Sequence, residues 1–172
     1  MYFQISALAV LLVLSFYSDI KKSTIPNKYV VPGAILGLLY HSITAGVSGV
    51  IFSAQGLAVG FGLLFLLYLF GALGAGDVKL FAAIGAITGT AYVITLTIYS
   101  VLFACLIGIL LILVKGELTR RLKNLYFSLI NLLLVRNRKI LQDYKQYGSF
   151  RFPFMYAVMP AAMISCLYPI SF

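Results

Sequence analysis

Charge is missing from most of this chain, and that limits its fold more than any motif does. No Asp, Glu, Lys or Arg occurs in residues 1–18, 29–76, 80–114 or 152–172. A bilayer crossing takes about 20 apolar residues in a helix. These runs reach that length and do not alternate as barrel strands do. Charged residues make up 10% of the chain and hydrophobic ones 62%, where a soluble domain carries roughly a quarter and a half. No soluble core could hide so much apolar side chain. The expected fold is all-α: a polytopic membrane protein in a single embedded domain over residues 1–172.

Six transmembrane helices are expected, over residues 2–18, 29–45, 50–73, 78–89, 91–114 and 152–172. The fourth is short and would have to tilt, thin the bilayer or run past Gly89. Nothing positive precedes the first run, so it reads as a retained span with its N-terminus outside, not as a cleaved signal. The inside loops are then 19–28, 74–79 and 115–151. They hold every cation of the chain: Lys21, Lys22, Lys28, Lys79, Lys115, Arg120, Arg121, Lys123, Arg136, Arg138, Lys139, Lys145 and Arg151. The outside loops near Gly46 and Gly89 have none, as the positive-inside rule requires. The net charge of +9 is therefore read as topology and lipid contact, and nucleic acid is not an expected partner.

Within the basic cytoplasmic loop 115–151, residues 125–135 are apolar and too short to cross. They read as an interfacial helix on the inner leaflet, with a loosely ordered basic loop fitting the sequence equally well. Gly56 and Gly60, and again Gly85 and Gly89, have the spacing that lets helices approach closely. Cys105 and Cys166 sit in apolar runs without a CxxC pair, so no metal site is expected. His41 reads as a structural or interfacial residue.

Only four residues are acidic, and two of them, Asp19 and Asp77, lie where apolar spans meet inside loops. Acids at a membrane edge are costly and point to function. Two carboxylates brought together cannot both ionise easily, so the pair can hold one proton, activate water and protonate a leaving amine. The competing account makes Asp19 an interfacial polar residue and Asp77 the N-cap of a helix from Val78. Gly74 and Gly76 lack a Cβ and would let an extended peptide come close. Asn27 offers a donor and an acceptor for a substrate backbone or for its own loop, and Lys79 a cation for substrate, for tuning the charge of Asp77 or for anchoring the span at the headgroups.

Gly74-Ala75-Gly76-Asp77 is a GxGD motif, and Asp19 is followed by Ile25-Pro26-Asn27. Together, and in this order, they resemble the two acidic motifs of the type IV prepilin peptidases. The Phe152-Pro153-Phe154 to Pro160 stretch is loosely similar to that family's last segment. The resemblance implies an aspartic endopeptidase of the bacterial inner membrane that removes the basic leader of prepilins at the cytoplasmic face. Its substrate would be a prepilin-like peptide with an apolar helix, and Asp19 and Asp77 would be the catalytic pair. No cofactor is implied. The chain lacks the CxxC-bearing insert of larger members and is similar to the short, peptidase-only form. A non-enzymatic pilus-assembly or transport protein with structural aspartates is the alternative. The sequence does not set the oligomeric state.

Overall fold

The computed structural model describes residues 2–22, 24–69, 73–114 and 154–167. They form five helices: α1 (Tyr2–Lys22), α2 (Asn27–Leu69), α3 (Ala75–Thr88), α4 (Thr90–Val114) and α5 (Met155–Leu167). The protein is all-α, as expected. The loop 115–151 and the segment 125–135 lie outside the described residues. Residues 1–104 and 153–172 form one compact unit, and 105–152 fall in a second, of which only the end of α4 is described. The contacts that build the site lie in the first.

Three helices are long and apolar enough to cross a membrane: α1, α2 and α4. Helices α3, with 14 residues, and α5, with 13, fall short of about 20. Large apolar side chains face outward along the long helices, among them Val10, Val13, Ile43, Val47, Leu102 and Leu106. In water such a surface would drive association; in lipid it is the solvated face. The protein is a helical membrane protein.

The residues expected to form the second and third spans lie in the two arms of α2. Gly46 breaks the helix with φ 59° and ψ −135°, a conformation open to glycine because it has no Cβ. The chain folds back there. The rings of His41 and Phe52 stand 4.9 Å apart between centroids, where an unbroken helix would separate them by about 16 Å along its axis.

Between these arms lies α3, buried from Asp77 to Ile87 except for exposed Lys79. Glycines of the arms stand where they cross it. A Cβ at Gly37 of the first arm would fall 2.7 Å from the Ala86 carbonyl oxygen. On the second arm, a Cβ at Gly56 or Gly60 would overlap the carbonyls of Gly85 or Phe81. The Gly56–Gly60 spacing thus serves close packing, as in other membrane helices. The first arm runs parallel to α3 and the second antiparallel, since residues 53, 56 and 60 meet 86, 85 and 81 in turn.

The last carbonyls of a helix have no partner within it. Both arms supply partners for α3. The His41 ring Nε2 donates to the Ile87 oxygen at 3.0 Å, and Ser53 Oγ donates to the Ala86 oxygen at 2.8 Å. Gly89 N–H closes on the Gly85 oxygen at 2.8 Å. Buried His41 is therefore structural, as expected from its place in an apolar run.

Candidate active site

Helix α1 runs antiparallel to the first arm of α2, with Leu11 against Gly33 and Ser18 Oγ donating to the Thr24 oxygen at 3.0 Å. This brings the end of α1 beside the start of α3. The helix continues to Lys22, past the expected end at Ser18, so Asp19 belongs to its last turns and not to a loop. Asp19 is 6% exposed. Its Oδ2 accepts a hydrogen bond from the Met155 N–H at 3.3 Å. Met155 opens α5, and its N–H is one of the donors a helix start leaves unpaired. Phe154 packs near Phe81, and Phe16 meets Tyr156 edge-on, which holds α5 against α1 and α3.

Asp77 is 9% exposed. Helix α3 starts one turn earlier than expected, at Ala75, with Gly74 in the N-cap position. Asp77 is therefore the third helical residue and not the N-cap. Its Oδ2 accepts from the Gly74 N–H at 3.1 Å, while its own N–H donates to the Gly74 oxygen at 3.1 Å. Burial pushes the Asp77 carboxyl up from 3.8 to about 6; the Gly74 bond opposes this and the charge of Asp19 adds to it. The two acids thus sit at one end of the bundle, within electrostatic reach of each other.

The other expected residues surround them. Gly74 is exposed, with its N–H committed to Asp77. Gly76 is half-buried, and the space beside it is filled by Ile25 rather than left open for a peptide. Asn27 and Lys79 are paired with each other, Nζ donating to Oδ1 at 3.1 Å. Among the described residues no cluster of His, Cys, Asp and Glu could hold a metal ion. The partners of the acids were not foreseen from the sequence: Met155 contributes a backbone donor, which no residue type announces, and Ile25 contributes shape.

At the opposite end of the bundle, the Ser165 hydroxyl donates to the Tyr92 hydroxyl at 3.0 Å, and that hydroxyl lies 3.3 Å from Cys166 Sγ. This cluster shares no residue with the acidic end.

No match was found among curated proteins or among solved structures. Residues 6–113 match the type IV leader peptidase family. That is more than half of the chain, and it takes in both acidic motifs and every helix between them. The chain therefore belongs to the type IV leader peptidase family, which makes it a peptidase of the membrane.

Proposed function

We propose that the protein is an aspartic endopeptidase that cuts the basic leader from prepilin-like substrates, with Asp19 and Asp77 as its catalytic pair. One observation carries this reading. Two buried carboxylates share one end of the bundle, and the charge on one opposes ionisation of the other. In the reaction, the ionised carboxylate takes a proton from water as its oxygen attacks the scissile carbonyl. The protonated carboxyl supplies a proton to the departing amine as the C–N bond breaks. The pair ends with its single proton restored. No cofactor enters these steps.

The chain would cross the bacterial inner membrane six times, counting the arms of α2 separately and α3 and α5 as short crossings. The N-terminus is then outside and the acids face the cytoplasm, beside Lys21, Lys28 and Lys79. The substrate's apolar helix would lie in the bilayer with its cleavage site at the acidic end. The chain would act on its substrate as a peptidase only, without methyl transfer.

Reconstituted protein, incubated with a peptide carrying a basic leader, glycine and an apolar helix, tests this. Cleavage by wild type should disappear in both Asp19→Asn and Asp77→Asn while each variant stays folded. Wild-type rates in both variants would end the dyad assignment. Absence of cleavage by any form would favour an assembly or transport role.

A further inference from the structure

We infer that residues 24–27 form a brace that sets the separation of the two aspartates, with Ile25, Asn27 and Lys79 as positioning residues. The inference rests on Asp19 and Asp77 being the catalytic pair, and it assigns a task to the Ile-Pro-Asn segment that the reaction itself leaves without one.

Three contacts carry it. Ser18, directly before Asp19 and 8% exposed, donates its hydroxyl to the Thr24 oxygen at 3.0 Å. Ile25, also 8% exposed, lies on Gly76, directly before Asp77. A Cβ at Gly76 would stand 3.2 Å from Ile25 Cβ and 3.3 Å from its nitrogen, closer than side chains normally pack. Asn27 then takes the Lys79 ammonium at 3.1 Å, two residues beyond Asp77. Both neighbours of the acids are thus tied to the same short segment.

The segment is stiff. Pro26 fixes its own φ, and its oxygen accepts the Tyr29 N–H at 3.2 Å as α2 begins. A stiff link matters because two carboxylates can share a proton only at hydrogen-bond range. Displacing a reacting group by about 1 Å can cost up to roughly 100-fold in rate. The glycine at position 76 fits this account: it makes room for Ile25.

Asn27 and Lys79 could instead hold substrate, and kinetics separates the two roles. With the full chain and the leader peptide above, Asn27→Ala and Lys79→Met should each lower kcat about tenfold and leave KM within about twofold. The double variant should lose no more than either single one, because both cut the same contact. Asn27→Asp, which keeps the acceptor, and Lys79→Arg, which keeps the donor, should restore the rate. A raised KM at unchanged kcat, or losses that multiply in the double variant, would overturn the brace.

A second readout needs no activity. The chain has only four acidic residues, so its carboxyl titration can be followed by infrared spectroscopy, with Asp77→Asn marking the Asp77 band. Asn27→Ala replaces one neutral residue by another. A loosened brace admits water, and the Asp77 titration should fall from about 6 toward the ordinary range. An Asp77 band that stays in place in Asn27→Ala refutes the brace. If wild type cleaves nothing, the peptidase reading fails while this titration still decides the brace.

Discussion

Asp77→Asn should leave a protein that is inactive and more stable at neutral pH. Burial raises the Asp77 carboxyl from 3.8 to about 6. At 1.36 kcal/mol per pH unit, keeping it ionised in the folded protein costs about 3 kcal/mol above pH 6. Below 3.8 both folded and unfolded chains are protonated and the cost vanishes. Between those values the unfolded chain ionises first, so wild-type stability falls as pH rises and levels off above about 6. Asparagine cannot ionise and escapes this cost; its neutral oxygen accepts from the Gly74 N–H much as the protonated carboxyl does, and the value of about 6 already includes the stronger bond to the carboxylate. The net gain is about 3 kcal/mol at about pH 7.5 and below about 1 kcal/mol near pH 4. For a chain of this size that is roughly 6–12 °C in melting temperature. Thermal unfolding of purified wild type and variant in one detergent, at both pH values, measures it. A variant that melts at or below wild type at the higher pH, or a difference that does not change with pH, would refute the reasoning.

The packing of α3 makes two further predictions. Gly56→Val should prevent folding or cost about 3 kcal/mol or more, because its Cβ would meet the Gly85 carbonyl, which is backbone and cannot swing away; Gly62→Val, with open space around it, should be near neutral in the same melts. His41→Leu should cost about 1–3 kcal/mol by leaving the buried Ile87 carbonyl without a donor, and His41→Gln should recover part of it, as chemical denaturation can show.

The sequence shows the membrane class because charge-free runs are long and the cations cluster between them. It shows the addresses of both acids for the same reason. It does not show how far the helices extend. Asp19 and Asp77 read as loop residues because hydropathy stops at them, yet backbone hydrogen bonding carries α1 on to Lys22 and starts α3 at Ala75. Polar residues at a water-facing helix end cost little, so hydropathy marks the bilayer edge and not the helix end. The fold of α2 at Gly46 was legible as a gap between spans. The grip of His41 and Ser53 on α3 was not, because each bonds a backbone carbonyl across more than thirty residues.

Two effects compete at Asp77, and their sizes suggest a final test. The start of a helix favours a negative charge by about 0.3–1 kcal/mol, and the Gly74 N–H adds a charge-assisted bond. The Gly74 bond favours ionisation, yet the carboxyl still rises to about 6, so burial outweighs it. Removing the Gly74 donor alone should lift it further. Gly74 has φ −85° and ψ 153°, a backbone that proline can adopt, and the Gly74 oxygen can still receive the Asp77 N–H. Gly74→Pro therefore deletes the N–H, and its ring Cδ, which takes the place of that hydrogen, turns the Asp77 carboxylate off the helix start. A charge-assisted bond of about 1.5 kcal/mol corresponds to about one pH unit, which places Asp77 near 7. Gly74→Ala keeps the donor and serves as control, since its Cβ would stand 3.4 Å from the Asp77 carboxylate, an ordinary contact. The carboxyl titration should move upward in the proline variant only, and the acidic limb of the cleavage profile should move with it. If alanine and proline shift it equally, the Gly74 bond is not what holds Asp77 down, and the balance between burial and helix start would have to be drawn differently.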